Sequence, residues 1–369
     1  MLSKANINRR GFLMQRRREV DMTQGNITRH IISFALPLLV GNVFQQLYNM
    51  VDTWVVGRYV GNTAFSAVGT VGPITNLLIG FFGGLASGAG VVISQYYGAH
   101  RYDKVQDAVH TAVAMTLILS VVFTAVGFTM VPLMLKLIKM PPDVVPEATA
   151  YLRIYFAGIT GLMIYNMGAG ILRAIGDSQR PFYFLVVCAI MNIILDLTFV
   201  LAFDMGVMGV ALATILSQAV SAIWVMRFLC GKQTILHIRR ENLKFSPGVM
   251  GPVLALGISP FIMQSTESAI FIIFNTGLQR YGGDLYVATM TIMQSLMQLC
   301  FCPLQGFTSG IQPIISYNYG AKNYNRVKMV IKRMTSIGFA FTIIAFLVIT
   351  NFPEIFAFPN PTNVVCAHI

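Results

Sequence analysis

Nine long apolar runs dominate this sequence and limit what it can fold into. Crossing about 30 Å of hydrocarbon takes roughly 20 apolar residues in a helix. Apolar residues make up 55% of the 369 residues and charged residues only 11%, against about 25% charged residues in soluble proteins. The sequence therefore predicts an all-α, polytopic membrane protein that lies in a lipid bilayer. The runs cover approximately residues 30–56, 65–94, 109–133, 148–172, 181–203, 207–229, 248–279, 286–315 and 334–352.

Basic residues are distributed unevenly between the two sides of this predicted membrane protein. The N-terminal arm and every second loop hold 21 of the 26 Lys and Arg residues, and the opposite loops hold four. Cytoplasmic loops carry the excess of positive charge, so we predict a multi-pass protein of the cell membrane with a cytoplasmic N-terminus. The net charge of +12 does not indicate nucleic acid, because the basic residues cluster between apolar runs and form no face with interleaved aromatic residues.

The five cysteines predict neither a disulfide framework nor a metal site. None forms a CxxC pair, and three lie inside apolar runs, so buried small apolar side chains are the simpler interpretation. We therefore expect no metal and no cofactor.

The sequence repeats itself at an offset of 222 residues. The segment ISQYYGA at 93–99 matches ISYNYGA at 315–321, and further identities align on both sides without gaps. Six predicted spans separate the copies, so both enter the membrane in the same direction, and a substrate site is expected between the halves. The predicted divisions are a basic extension (1–21), an N-lobe of six helices (22–226), a cytoplasmic linker (227–247), a partial C-lobe of three helices (248–352) and an atypical tail (353–369).

Three acids lie within the predicted spans, where ionisable side chains are rare and are functional candidates by default. They are Asp52 in span one, Asp196 in span five and Glu267 in span seven. Tyr48 precedes Asp52 by one turn and Asn192 precedes Asp196 by one turn, so each pair shares a helix face. Burial disfavours a charged carboxylate, which makes these acids candidates to carry H⁺, whereas amide and hydroxyl neighbours would suit Na⁺. The alternative is a purely structural role, in which each acid bonds a neighbouring helix.

Span one carries two further candidates for lining or gating a cavity. Pro37 removes a backbone hydrogen bond and permits a bend in the helix that bears Asp52. Gln45 extends the polar stripe formed by Tyr48 and Asp52, and it aligns with Glu267 at the repeat offset. The two halves are therefore predicted to differ chemically at this point.

Three segments resemble the multidrug and toxic compound extrusion (MATE) family of efflux transporters. They are FALPLLVGNVFQQLYNMVDTWVVGRYVG at 34–61, GILRAIGDSQRPFYF at 170–184 and NIILDLTFVLAFDMGVMGVALAT at 192–214. The resemblance implies twelve helices in two six-helix lobes around a V-shaped cavity that alternates its opening. It also implies a transporter rather than an enzyme, which exports drugs or organic metabolites, expected to be cationic or amphiphilic, against inward H⁺ or Na⁺.

The resemblance also assigns roles to individual residues. Asp52 and Asp196 match acids of a first-lobe cation site, Asn192 matches the accompanying amide, and Thr214 matches a hydroxyl near that site. Pro37 matches a proline implicated in bending the first helix. Glu267 is similar to an acid of the NorM-type branch, although its spacing from the preceding proline differs by one residue.

The two ends of the sequence depart from this family pattern. The family implies three more helices after residue 352, where the tail FPEIFAFPNPTNVVCAHI begins as expected and then loses its apolar pattern. We interpret this as a frameshift, an assembly break or a degraded gene rather than a functional short form, so that the cavity would lack one wall. At the other end, the basic extension is either a cytoplasmic arm or an over-extended start, with Met22 as the initiator; the second is favoured because MTQGNITRH runs directly into span one.

Three rival functions remain alongside export. A lipid-linked oligosaccharide flippase of the same superfamily should hold several cations in its cavity, and the spans are nearly free of Lys and Arg. An intramembrane aspartyl protease needs two carboxyls that share a proton, but the repeat is unexpected for it and no GxGD motif follows. A non-transporting gene remnant is the third possibility.

Overall fold

The computed structural model describes residues 22–138, 140–231, 236, 238 and 245–351, apart from many side chains between 271 and 300. The predicted N-terminal extension (1–21), the tail (353–369) and most of the linker (227–247) lie outside these residues.

Helices account for almost all of this structure, which confirms the all-α fold predicted from the sequence. Across the described residues, eight stretches are long and apolar enough to cross a membrane. Two helices, the first and the fifth, continue into short π-helical turns at Val56–Val60 and Thr198–Ala202. The helices are α1 (Ile27–Val55), α2 (Asn62–Gly98), α3 (Tyr102–Leu137), α4 (Val145–Ala174), α5 (Gln179–Leu197), α6 (Gly206–Leu229), α7 (Pro247–Gly320) and α8 (Tyr324–Asn351).

Local sequence signals mark where α1 begins and ends. The Asn26 side chain accepts a hydrogen bond from the backbone N–H of Thr28 at 2.9 Å, which caps the first turn. At the other end Gly61 has φ +122, a backbone conformation that L side chains rarely adopt. The chain can therefore turn sharply there and start α2 one residue later.

The segment predicted as spans seven and eight is hydrogen-bonded as one helix, α7, with no separate loop between the spans. A straight helix would place Val253 and Tyr317 roughly 96 Å apart, at 1.5 Å per residue. Yet the carbonyl of Val253 meets α2 at Gly88, and the carbonyl of Tyr317 meets α2 at Gly98, only about 15 Å further along. The chain must therefore reverse direction within α7, which gives an outgoing and a returning limb.

Further contacts narrow the place of this reversal. Gln264 of the outgoing limb still touches α2, and Gly306 of the returning limb packs on α1. The reversal thus lies between these two residues, and the two limbs correspond to the two predicted spans. Four prolines, each of which removes a helical hydrogen bond and permits a bend, lie in this helix. They are Pro252, Pro260, Pro303 and Pro313.

The helices α1–α6 form a first bundle, built largely around α4. Close contacts between α4 and α6 need small residues: a Cβ added at Gly158 would lie 2.3 Å from the side chain of Ile215, and one at Gly168 would lie 2.7 Å from Val225. Such small-residue contacts are the usual way for membrane helices to approach closely, because lipid supplies no hydrophobic drive between them.

The second bundle, α7 and α8, meets the first bundle along a seam of small residues. A Cβ added at Gly84 of α2 would lie 2.5 Å from the carbonyl oxygen of Gly257 on α7. On the returning limb, Gln312 donates a hydrogen bond to the Ser87 hydroxyl of α2 at 2.7 Å, and Gly310 packs on α1 at Ala35. The backbones of the two bundles are therefore in direct contact.

The segment that leads into α1 is fastened to the second bundle. The Arg326 guanidinium donates hydrogen bonds to the backbone carbonyls of Met22, Gln24 and Gly25 at 2.8–3.0 Å. Buried Asn318 donates to the Met22 carbonyl as well, at 3.1 Å. The start of the first bundle is thus held by the turn between α7 and α8.

The seam makes a direct prediction for two adjacent glycines. We expect Gly84→Ala to lower the thermal unfolding midpoint of the purified protein, because the new methyl group must displace the backbone of Gly257; overpacking of this kind costs about 1–3 kcal/mol. Gly83→Ala is the matched control, since a Cβ at Gly83 meets nothing within 4 Å. Equal midpoints for the two variants would contradict a tight seam.

Candidate functional site

The candidate site lies where α1 and α5 run side by side in the same direction. A Cβ added at Gly41 of α1 would lie 3.2 Å from the Leu185 side chain of α5, so the two helices approach closely there. These residues are 144 positions apart, and so are Asp52 and Asp196. Two parallel helices in register at Gly41 and Leu185 therefore bring the two acids together three turns later, about 16 Å along the helices.

The two carboxyl groups do face each other across the helix interface. Their side chains lie within hydrogen-bonding reach, but two ionised carboxylates have no donor between them, so a bond forms only when one carries a proton. Asp196 is fully buried and Asp52 half-buried. Both oxygens of Asp196 and Oδ1 of Asp52 are without a hydrogen-bond partner among the described residues. Two such charges repel each other unless a proton or a cation lies between them.

Asn192 adds a second unsatisfied group to the same place. It precedes Asp196 by one turn of α5 and is 1% exposed. Neither its oxygen nor its nitrogen has a partner within the described structure. Leaving a buried polar group unpaired costs about 1–3 kcal/mol, and such a group calls for an explanation such as a bound ion or water. The prediction from sequence placed this amide beside the acids, and the structure has it one turn away on the same helix.

Thr214 lies on α6, and no contact described for it joins it directly to the acids. Its buried hydroxyl donates to the Val210 carbonyl at 3.0 Å, which leaves its oxygen lone pairs available as acceptors. Val210 belongs to a small apolar cluster with Val55 and Val200, and Leu197 packs against that cluster. The cluster therefore ties α6 to the parts of α1 and α5 that adjoin the acids.

Aromatic hydroxyl groups from α4 complete the surroundings of the acids. Tyr151 lies within electrostatic range of both Asp52 and Asp196, and its ring stacks on Tyr155 with centroids 6.2 Å apart. Tyr48, predicted from its position before Asp52, is buried and lies near that acid. Tyr151 is not among the residues predicted from the sequence. Its only signal in the sequence is that two tyrosines, Tyr151 and Tyr155, lie one turn apart in an apolar run.

Each acid is followed closely by a change in helix geometry. The π-helical turn Val56–Val60 begins four residues after Asp52, and Thr198–Ala202 begins two residues after Asp196. π-helical turns are rare in proteins overall, but those that occur are frequently at functional sites, because they loosen the regular hydrogen-bond ladder. The two turns lie next to each other, so both acids lie at the same level, close to the ends of their helices.

The residues predicted to line or gate a cavity are more scattered. Gln45 is half-buried on α1, two turns before Asp52. Pro37 lies between Ala35 and Leu39, two α1 residues that pack on the returning limb of α7. Glu267 is exposed on α7, three residues after Gln264, and no contact described for it joins it to the acids.

The donor set determines which ion this site would suit. Within the described residues there is no group of three or more His, Cys, Asp or Glu side chains that could hold a metal ion. The available ligands are two carboxyls, an amide and hydroxyl groups. Oxygen ligands of this kind suit a proton or a hard monovalent cation better than a transition metal.

Comparisons with known proteins agree on one family. The family model described as MatE matches residues 37–198 and 260–360. The probable multidrug resistance protein YpnP of Bacillus subtilis is 27% identical over 307 residues, which cover 83% of this chain and 68% of that protein. The multidrug export protein MepA of Staphylococcus aureus is 23% identical over 325 residues, 88% of this chain and 72% of that protein. A solved outward-facing structure of a multidrug resistance MATE family transporter of the MOP superfamily is 25% identical with a TM-score of 0.85, over 91% of this chain and 75% of that one.

The unpaired oxygens generate a binding prediction that needs no transport assay. We expect Na⁺ or added protons to raise the thermal unfolding midpoint of the purified protein, since a ligand that binds only the folded state stabilises it, by about 2.7 kcal/mol at a hundred times its Kd. Asp52→Asn and Asp196→Asn should each abolish the response. Asp107→Asn, an exposed acid of the same bundle, should keep it. A response that survives in both site variants would show that the ion acts elsewhere.

Proposed function

The chain belongs to the MatE family, and from this membership we propose that it is a cation-coupled antiporter that exports drugs or organic metabolites by alternating access. Family membership makes it a multidrug efflux transporter with several membrane-spanning helices, and not an enzyme. We further propose the nature of the coupling ion, the orientation of the chain in the membrane and the transport cycle. The observation that carries it is the facing pair Asp52 and Asp196, with orphaned Asn192 beside it.

The positions of the contacts between the bundles support an outward-facing state. Ala35 and Leu39, in the first half of α1, contact α7, whereas Asp52 lies about 20 Å beyond Leu39. Along α2, they run from Gly80 to Gly98, towards its end. The contacts therefore collect at the ends that the charge distribution predicts to be cytoplasmic. The bundles are closed on that side, and the acids lie towards the other.

In the proposed cycle a cation enters from outside and binds between Asp52 and Asp196. It relieves their repulsion and allows the two helices to approach, a change that α1 can transmit because Pro37 weakens its hydrogen-bond ladder. The outward-open and inward-open states of the protein then differ in their affinity for substrate and for cation. This difference is required for the movement of one to drive the movement of the other. Small cationic or amphiphilic molecules are the substrates that a site with anionic character would favour.

The opposite phase of the cycle requires the seam to open. The backbone contacts at Gly84 and Gly98, and the hydrogen bond between Ser87 and Gln312, hold the bundles together on the proposed cytoplasmic side. Arg326, which clamps the segment before α1, adds a polar lock at the same end. Alternating access demands that these contacts be broken once per cycle.

Substrate efflux from cells or vesicles tests the role of the acids. We expect Asp52→Asn and Asp196→Asn each to lose coupled efflux of a fluorescent organic cation. In each variant one carboxyl of the pair is replaced by an amide, so the site can no longer bind the driving ion as the wild-type site does. Asp107→Asn should transport normally. Unaltered ion-dependent efflux in both site variants would overturn the mechanism, provided that the amounts in the membrane are equal.

A crosslink across the seam tests alternating access separately. Ser87→Cys with Gln312→Cys replaces a hydrogen-bonded pair, so an oxidant should join the bundles and stop efflux, and a reductant should restore it. Each single cysteine variant is the control, and it should respond to neither reagent. Continued transport by the fully crosslinked protein would show that the seam does not need to open.

A further inference from the structure

An open cavity whose lining residues include two cations lies on α8, far along the chain from the acids. It has a volume of about 360 Å³, and its lining residues recur at the spacing of one helix face. Two of them are cations and one is a hydroxyl, while the remaining two are apolar. The lining residues are Met329, Lys332, Arg333, Ser336 and Ile337.

The internal repeat gives the first bundle an equivalent of this face, and there the structure shows what covers it. At the offset of 222 residues, Lys332 and Arg333 correspond to His110 and Thr111 of α3. Both first-bundle residues are buried, at 3% and 0% exposure. The Thr111 hydroxyl accepts a hydrogen bond from the backbone N–H of Ser246 at 3.3 Å. In the first bundle, therefore, the chain itself packs over the face, which is free of permanent charge.

The corresponding face of the second bundle has the opposite character. Lys332, Arg333 and Ser336 are exposed, and Arg333 reaches across to the Thr28 hydroxyl at the start of α1. An apolar chain segment over this face would bury two cations without counterions, which is costly. An occupant that carries negative charge would instead be stabilised by both cations. The Ser336 hydroxyl already donates to the Lys332 carbonyl at 2.9 Å.

The position of the cavity along α8 suggests where that negative charge comes from. The basic residues end at Arg333, and the following stretch to Asn351 is an apolar candidate span with large exposed side chains, including Phe339 at 69% and Phe346 at 63% exposure. The cavity therefore lies where a membrane surface meets its hydrocarbon. Basic pockets at this depth bind anionic lipid headgroups.

We propose that this cavity binds the headgroup phosphate of an anionic phospholipid, with Lys332 and Arg333 as the charge partners. The acyl chains lie along the exposed apolar face of α8. Because Arg333 also contacts Thr28, the lipid is positioned beside the segment that Arg326 clamps. The proposal depends on membrane insertion and not on the ion-coupling mechanism.

Lipid binding to the purified protein in detergent tests this proposal. Native mass spectrometry and thermal unfolding should show tighter binding of dioleoyl phosphatidylglycerol than of dioleoyl phosphatidylcholine. Lys332→Gln with Arg333→Gln should weaken phosphatidylglycerol binding about thirtyfold, at about 1 kcal/mol per cation, and leave phosphatidylcholine binding unchanged. Lys332→Gln alone keeps the Arg333 contact to Thr28, so it provides the same test if the double variant does not fold.

The matched control removes a cation one turn away on the same helix. Lys328→Gln removes one positive charge outside the cavity, as Lys332→Gln removes one within it, and it should weaken phosphatidylglycerol binding less than Lys332→Gln does. Equal losses in the control and the cavity variants would show only general attraction to the basic surface and would overturn the proposal. It would also be overturned if inorganic phosphate stabilised the protein as well as the lipid did, because the site would then recognise a free anion.

Discussion

The like-charge contact between Asp52 and Asp196 is the constraint on which the first bundle's chemistry depends. A carboxylate removed from water loses its hydration, and a second carboxylate opposite it adds repulsion. Among the described residues, no hydrogen bond reaches either oxygen of Asp196 or Oδ1 of Asp52, and Asn192 leaves its amide unpaired in the same region. The arrangement is stable only in combination with something positive from outside the protein. A site that is incomplete in this way is suited to binding and releasing an ion, because each ion that enters changes the local energy by a large amount.

The position of this pair on α1 is what links it to the rest of the molecule. Asp52 lies near one end of α1, and Ala35 and Leu39, which touch the second bundle, lie near the other. Pro37, between those two contact residues, is a point where the helix can bend at low cost. One helix therefore connects the ion site to the seam between the bundles. A change in how α1 packs on α5 would be felt at the seam without any longer chain of contacts.

Much of this architecture follows from the sequence, because membrane burial imposes simple rules. A run of apolar residues must cross the bilayer as a helix, and an acid within it must face another helix, so both the spans and the inward position of Asp52 and Asp196 could be predicted. Tyr151 could not, since its hydroxyl matters only through the packing of α4 against the two acid helices, and a tyrosine in an apolar run carries no sign of its neighbours. The continuous hydrogen bonding of α7 was also missed. The Gly-Gly pair at 282–283 resembles a break, whereas the observed reversal is identified only by the contacts of its two limbs with α2.

The internal repeat shows how one helical framework has come to carry two different surfaces. Asp52 corresponds at the repeat offset to Phe274, whose side chain is 56% exposed, so the second bundle cannot contain the same acid pair. Conversely, the buried face around Thr111 corresponds to the exposed cations of α8. Helix length and small-residue contacts are shared because they determine how the chain crosses the membrane. Charge is not shared, and this difference underlies both proposals: a small cation bound in the first bundle and an anionic headgroup bound on the second.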